Sequence, residues 1–396
     1  MAHALIIGGG IAGPVTAMAL QRAGITATVH EAYPEGAVEE AGSFLALFAN
    51  GLAALRTLGC LGPVEEASSA ADTIESYSDT GVRLGRQALA GSWDEGLGVR
   101  TLPRAVLCRT LRAEAVRRGI PFRYGKRLTG TAVRPDGTIT ASFADGTHAE
   151  GDFLVGADGI HSRTRVLLDP AAPPPRHTGQ FTVCGATRHT GHPAPPRTYR
   201  MHYGRRAFFG CTTTPGGVTY WFANIPGADL PRDVLAAVTA DEWRRRVTEA
   251  FAEDAVPAAA IVAATGDEIT GLNGYDIPTT RVWHDAHHVL AGDAAHATAP
   301  NAAQGASMAI EDGVVLARCL RDLPGPRQAF AAYERLRRER VEKVVAMSAA
   351  MARREPLGPG ERRARDAEVA RRMAGDPRRD TEWLTGYRVD WDAPVR

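Results

Sequence analysis

The chain has 396 residues, 44% of them hydrophobic and 23% charged, with a formal net charge of +1 at pH 7. That length fits two domains or one large composite, the apolar share is ordinary for a globular chain, and the near-neutral balance excludes a general polyanion binder. No apolar run approaches a membrane span, and Cys60, Cys108, Cys184, Cys211 and Cys319 show neither CxxC pairing nor finger spacing, which reads as a reduced, cytoplasmic setting.

In chain order, Ala4-Leu5-Ile6-Ile7 is a short apolar run followed at once by Gly8-Gly9-Gly10-Ile11-Ala12-Gly13. A helical stretch from Pro14 to Ala23 comes next, and after Gly24 a β-like run, Thr26 to His30, ends on Glu31. Strand, glycine turn, helix, strand and acid in this order form the dinucleotide-binding βαβ unit. Gly8 permits the sharp exit from the strand, Gly10 lets backbone N–H groups approach a pyrophosphate, and Gly13 lets the helix pack close to the sheet. The helix start at Ile11 and Ala12 offers partial positive charge to phosphates, and Glu31 lies where a carboxylate accepts hydrogen bonds from a ribose. The unit alone leaves open which dinucleotide it holds. The chain enters this strand directly, so the reading includes no cleavable leader.

A polar loop follows Glu31, then Phe44 to Phe48 and an alanine-leucine helix from Gly51 to Leu58. Residues 72–90 alternate apolar and polar, which predicts strands. Leu102-Pro103-Arg104 leads into a segment with Leu107, Leu111 and Ala115 at the helical period. Thr131 to Val155 predicts a three-strand meander turned at Asp136-Gly137 and Asp145-Gly146, its third strand running into Gly156-Ala157-Asp158-Gly159. A proline-rich stretch, Pro170 to Pro175, marks a boundary. Beyond it, runs at 180–187, 198–203, 207–213 and 218–223 predict an antiparallel sheet, followed by a helix around 238–252. Near 281 the α/β character returns. His288-Val289-Leu290-Ala291 reads as a buried strand, Gly292-Asp293 follows, and a helix starts near Gln304. Residues 327–354 read as a long helix with Phe330, Tyr333, Leu336, Val341, Val344, Val345 and Met351 on its apolar face. An arginine-rich segment and the aromatics Trp383, Tyr387 and Trp391 close the chain.

Three separated strand ends thus carry glycine and an acid: Glu31, Asp158 and Asp293. In an open α/β sheet such ends converge on a ligand. The βαβ unit, Gly156-Ala157-Asp158-Gly159 with Ser162 and Arg165, and Gly292-Asp293-Ala294-Ala295-His296 with Pro300 and Gln304-Gly305 together resemble the FAD-dependent monooxygenases related to para-hydroxybenzoate hydroxylase, the group A flavoprotein monooxygenases. The resemblance implies FAD as resident cofactor and NADPH or NADH as transient reductant. It implies that Gly8, Gly10 and Gly13 hold the pyrophosphate, Glu31 the adenosine ribose, and Asp293 the ribityl chain. Arg104 would lie against the FAD, and Asp158 belongs to a motif linked to both FAD and NADPH. A helix starting at Gln304, Gly305 and Ala306 would aim backbone dipoles at the flavin, favouring its anionic reduced form, and Pro300 would stiffen the loop beside the reactive carbon. Ala32, Ala303 and Ser307 depart from the family pattern, which more often has arginine, glycine and asparagine there.

The expected fold is α/β: a Rossmann-like FAD-binding domain (1–73, 99–176 and 281–326), a mostly antiparallel β-sheet substrate domain (74–98 and 177–280), and a C-terminal helical region (327–396). The expected activity is insertion of one oxygen atom from O₂ into an apolar, aromatic or polycyclic small molecule through a flavin C4a-hydroperoxide, with no metal and no nucleic-acid or membrane partner, by a monomer or homodimer. His202, Phe209, Tyr220, Trp221 and Pro300 are the pocket candidates, with Phe208 and Phe222 beside them. Alternation puts Tyr220 and Phe222 on one face and Trp221 on the other. Arg163 and Arg165 read equally as NADPH-phosphate contacts or surface ion pairs. His284, His287, His288 and His296 lack metal-ligand spacing. Trp221 to Pro226 resembles the WxWxIP motif of flavin-dependent halogenases, but Ala223 replaces the second tryptophan and Lys126 and Lys343 are the only lysines. A flavin dehydrogenase or reductase, and a non-catalytic flavin binder, are the rival readings.

Overall fold

The computed structural model describes residues 2–37, 43–89, 96–352 and 356–396. Part of the polar loop after Glu31, residue 90 of the alternating segment and residues 353–354 of the long helix lie outside the described residues.

The first strands are buried on both faces, as parallel strands between two layers must be. A five-stranded sheet runs in the order His288–Leu290, Phe153–Gly156, His3–Ile7, Thr26–His30 and Phe122–Arg123, with every pairing parallel. Alternation splits its side chains. Ala4, Ile6, Val29 and Val155 pack with the helices Ala12–Arg22 and Gly305–Asp322, whereas Leu5, Ile7 and Leu154 pack on Leu128, Ile139 and Phe143 of the meander.

That meander differs from the sequence expectation at its third strand. His148–Gly151 pairs with Ile139–Phe143, but Phe153–Gly156 leaves for the parallel sheet. The switch occurs at Asp152, whose N–H donates to the His3 carbonyl at 2.9 Å and whose carboxylate accepts the His3 N–H at 2.6 Å. One residue thereby serves the edge of the first strand twice and redirects the chain.

The middle of the chain forms a seven-stranded sheet in the order Ile269–Asp276, Arg176–Thr187, Thr219–Pro226, Phe208–Thr213, Thr198–Tyr203, Thr73–Ser78 and Arg83–Ala88. It is antiparallel except where Thr198–Tyr203 meets Thr73–Ser78 in parallel. Helices Ala240–Ala250 and Ala258–Ala263 seal one face, placing Trp243, Val247, Phe251 and Ile261 against Val183, Phe209, Trp221 and Ala223. The other face meets Phe44 and the loop at Asn301.

The long helix spans Pro326–Met351 and buries Phe330, Tyr333, Val341, Val344 and Val345. Leu336 and Met351 are exposed, contrary to expectation, because the buried stripe passes through Arg337 instead. The arginine-rich end folds into two helices, Pro359–Met373 and Pro377–Thr385. No helix among the described residues is long and apolar enough to cross a membrane.

Candidate functional site

Parallel pairing places Ile7 beside His30 and beside Gly156, so the glycine turn, Glu31 and Ala157 emerge from one sheet edge together. Gly8 has φ +108°, and a Cβ there would lie 2.3 Å from the Ala157 carbonyl oxygen. A Cβ on Gly13 would lie 1.9 Å from the Gly8 carbonyl oxygen. Only glycine fits either position. At Gly10, by contrast, a Cβ would meet nothing within 4 Å, so the backbone there faces open space. Glu31 is pinned at this turn: its carboxylate accepts the N–H of Gly9 at 2.6 Å and of Tyr33 at 3.0 Å. Ile11 caps the helix that Ala12 begins.

The second segment folds around Asp158. Its carboxylate accepts from the Ser162 hydroxyl at 2.5 Å, the Thr164 N–H at 2.9 Å and the Thr164 hydroxyl at 3.0 Å. Burial still holds this carboxyl above the usual range. These bonds fasten the start of the helix Arg163–Leu168. Among the described residues, neither arginine nearby forms a surface ion pair. Arg165 is buried, and its guanidinium donates to the Ala294 carbonyl at 3.0 Å and the Ile160 carbonyl at 2.6 Å, joining the second segment to the third. Arg163 donates to the Thr129 carbonyl.

The third segment meets the first through Gly292. It has φ +59°, and a Cβ there would lie 3.0 Å from the Ala12 side chain and 3.2 Å from that of Ala309. Asp293 follows at the sheet edge, and among the described residues its carboxylate receives no hydrogen bond. Burial raises this carboxyl against the attraction of His296 and Arg104. Arg104, at the exposed start of the helix Arg104–Arg117, thus lies on the Asp293 side of the site. Pro300 opens a short 3₁₀ turn, Pro300–Ala302, and Gln304 caps the helix Gly305–Asp322. A Cβ on Gly305 would lie 4.0 Å from the Asp293 carboxylate, so the free N–H groups of Gly305 and Ala306 start beside that acid.

Two departures from the family pattern acquire physical content here. Ala303 sits in the left-handed region at φ +50°, the conformation that favours glycine. Ser307 is fully buried where the helix Ala49–Thr57 crosses: a Cβ on Gly51 would lie 2.7 Å from its hydroxyl oxygen.

A buried ionic network behind this helix start has no counterpart in the sequence reading. His296 Nε2 lies 2.5 Å from the Asp312 carboxylate, which also accepts from Arg337 Nε at 2.7 Å and the Gly292 N–H at 2.8 Å. Burial opposes ionisation of Asp312, but His296 and Arg337 hold its carboxyl below the usual range. Arg337 and Arg340 both pair with Glu311, at 2.6 and 2.9 Å. Asn50 donates to Glu311 at 2.6 Å and to the Gln304 side-chain oxygen at 3.0 Å. The sequence signal was two adjacent acids, Glu311 and Asp312, inside an otherwise apolar helix stripe.

The pocket candidates divide between the two faces of the large sheet. Phe209 and Trp221 are fully buried on the helix-covered face, stacked with centroids 5.8 Å apart, and the Trp221 N–H donates to Thr265 at 2.9 Å. His202 lies on that same face, packed on Tyr77 and Phe209, and among the described residues neither ring nitrogen has a hydrogen-bond partner. Burial lowers its pKa to about 4. These three residues do not line a pocket toward the motif-bearing strand ends. Tyr220 does face that way, as do Phe222 and Phe208, and all three are half-buried. Phe44, on the strand Phe44–Leu47, stacks on Tyr220 at 5.4 Å and tilts against Phe222 at 6.0 Å. Asn224, on the same face, donates to Asn301 beside Pro300 at 2.7 Å, which joins the sheet to the loop before the helix. At the far end Met373 packs on Gly85, and Arg372 donates to the Tyr203 hydroxyl at 3.1 Å. The cleft bounded by Phe181, Ile225 and Arg246 opens on the other side of the sheet and takes no part.

This donor set fits an extended dinucleotide with a polyol chain. The Gly10 backbone is open for a pyrophosphate, the Asp293 carboxylate is an unspent acceptor, and a helix start stands beyond it.

A family model described as FAD binding domain matches residues 1–348. The 3-amino-4-hydroxybenzoate 2-monooxygenase PtnB3 of Streptomyces platensis is 34% identical over 98% of this chain and 96% of its own. The FAD-dependent urate hydroxylase of Klebsiella pneumoniae is 31% identical over 86% of this chain and 87% of its own. The crystal structure of Klebsiella pneumoniae HpxO with FAD and uric acid superposes with a TM-score of 0.84 at 26% identity, covering 97% of this chain and 96% of that one.

Proposed function

The chain belongs to the FAD-binding-domain family of flavoprotein monooxygenases related to para-hydroxybenzoate hydroxylase, and from that premise we propose that it is an NAD(P)H-dependent hydroxylase of an apolar aromatic or polycyclic small molecule. The observation that carries this reading is the half-buried aromatic face, Phe44, Tyr220, Phe222 and Phe208, bonded through Asn224 and Asn301 to the loop before the Gly305 helix. Rings that are accessible on this face and sealed on the other suit a flat apolar ring held by stacking.

FAD, when bound, would supply the oxygen chemistry with electrons from NAD(P)H. The chain's own residues bind, orient and exclude water. Gly8, Gly10 and Gly13 with the N–H groups after Ile11 hold the pyrophosphate, and Glu31 the adenosine ribose. Asp293 would accept from the ribityl hydroxyls. The N–H groups of Gly305 and Ala306 would favour negative charge on a pyrimidine edge held there. Pro300 and Asn301 fix the loop between cofactor and substrate, and the aromatic face keeps water from the reacting atoms. No protein nucleophile is required.

PtnB3 is named for an aminohydroxybenzoate and the HpxO crystal holds uric acid, both planar rings. Those names support a planar ring substrate for this chain. The test is a screen of aromatic and polycyclic compounds, 3-amino-4-hydroxybenzoate among them, for stimulation of NADPH oxidation by the FAD-loaded protein. Stimulation by at least one planar ring, with matching oxygen uptake, is expected. Oxidation of NADPH without oxygen uptake would favour the dehydrogenase reading.

A further inference from the structure

Charges buried along a helix that points at a cofactor change what that helix end can do. In the helix Gly305–Asp322, Glu311 and Asp312 are fully buried and begin six residues after its start, roughly 9 Å along the axis. Left alone, two carboxylates there would cancel the positive end of the helix, which amounts to about half a charge. They are matched by two guanidiniums from the long helix Pro326–Met351. Arg337 is fully buried and contacts both acids, and Arg340 pairs with Glu311 through two nitrogens, at 2.9 and 3.0 Å.

The network reaches the helix start and the chain's end. Glu311 accepts from Asn50, which donates also to Gln304, the cap residue. A carboxylate that receives two guanidiniums can only accept, so it fixes the Asn50 amide as donor and the Gln304 oxygen as its acceptor. Arg340 donates to the carbonyls of Trp383 and Leu384 at 2.6 and 2.7 Å and lies 4.2 Å over the Tyr387 ring.

We infer that Glu311, Arg337 and Arg340 are positioning residues that set the net charge behind the flavin-facing helix start, and with it the ease with which bound FAD accepts electrons. None of them is at the sheet edge where the cofactor is proposed to lie; they act through Gln304 and the helix start. The inference rests on FAD being seated as proposed above. A hydride from the nicotinamide brings two electrons and one proton, leaving the flavin with one negative charge that the helix end must accommodate. Removing Glu311's charge leaves the network one unit more positive. Removing Arg340's charge leaves it one unit more negative.

The experiment compares Glu311→Gln, Arg340→Gln and Arg340→Lys in the full-length, FAD-loaded protein by dye-equilibrated flavin titration. At a fixed applied potential the ratio of reduced to oxidised FAD should rise on the order of fivefold in Glu311→Gln and fall on the order of fivefold in Arg340→Gln, with Arg340→Lys near wild type. A loss of packing alone would move the first two in the same direction. Equal-sign shifts, or no shift in variants that retain FAD, overturn the inference. In Glu311→Gln, Arg337 keeps Asp312 and Arg340 keeps the tail carbonyls, so the fold has remaining partners. If that variant still fails to fold, the Arg340 pair decides: a fall with glutamine that lysine restores supports the inference, and anything else overturns it. Wild-type protein that binds no FAD overturns the cofactor reading first, a result distinct from intact FAD binding without opposed shifts.

Discussion

Arg165 donates from Nη1 to the carbonyl oxygen of Ala294 at 3.0 Å, across 129 residues of chain. This bond holds the segment around Asp158 against the segment that presents Asp293, so two of the three motif-bearing strand ends are fixed relative to one another by a buried cation.

Arg165→Leu should therefore lower stability by about 2–4 kcal/mol, because the carbonyls of Ala294 and Ile160 would both be left without a donor. Urea denaturation and the FAD content of purified protein read this together. Both should fall. Unchanged stability with weakened NADPH binding would instead return Arg165 to a nucleotide contact.

Asp293 should make FAD binding depend on pH. Burial raises its carboxyl in the free protein. Ribityl donors favour the ionised form, so binding releases a proton, and affinity should rise as pH increases through the elevated value and then level off. Asp293→Ala should weaken FAD retention by about 1–2 kcal/mol and flatten that dependence. Fluorescence titration of the apoprotein across acidic to neutral pH measures it. Unchanged FAD affinity in the variant would remove the assigned role.

Tyr220 and Trp221 are adjacent yet face opposite ways, which separates binding from stability. Tyr220→Ala should raise KM for an aromatic substrate several-fold, since ring stacking contributes about 0.5–1.5 kcal/mol, with little change in Tm. Trp221→Ala should cost about 3–5 kcal/mol of stability from the cavity it leaves. Steady-state kinetics and thermal unfolding on the pair check the division. The opposite pattern would invert the assignment of the faces.

His202 should contribute acid sensitivity. Its pKa falls from 6.5 to about 4 on burial, so the unfolded chain binds the proton first as pH drops, and stability declines between those values. His202→Phe keeps the contacts with Tyr77 and Phe209 and removes the titration. Denaturation midpoints for this variant should be less pH-dependent than wild type over that window. Equal slopes would contradict it.

The Asp158 and Asp293 segments were legible because each is local, with strand end, glycine and acid adjacent; the first was legible because its turn and Glu31 are joined by one short βαβ unit of fixed order. The faces of the large sheet were half legible. Alternation separated Tyr220 from Trp221, but nothing local to His202 or Phe209 shows that Trp243 and Phe251 arrive from later helices to cover their side. The break at Asp152 was hidden because its two bonds go to His3, 149 residues earlier in the chain. Glu311 and Arg337 were hidden for the opposite reason. Charged residues are ordinarily solvated, and only the packing of two helices shows that these are not. Ala303 was visible as a departure, and its meaning came with the positive φ.

As the hydroxylase proposed above, this chain would transfer one oxygen atom from O₂ to an aromatic ring. The most direct measurement is mass spectrometry of the product formed under isotopically labelled dioxygen, with the FAD-loaded protein, NADPH and the compound that best stimulates NADPH oxidation. A product heavier by one labelled oxygen, formed only when flavin and NADPH are both present, is expected. A product of altered oxidation level carrying no labelled oxygen would contradict it and assign the scaffold to dehydrogenation.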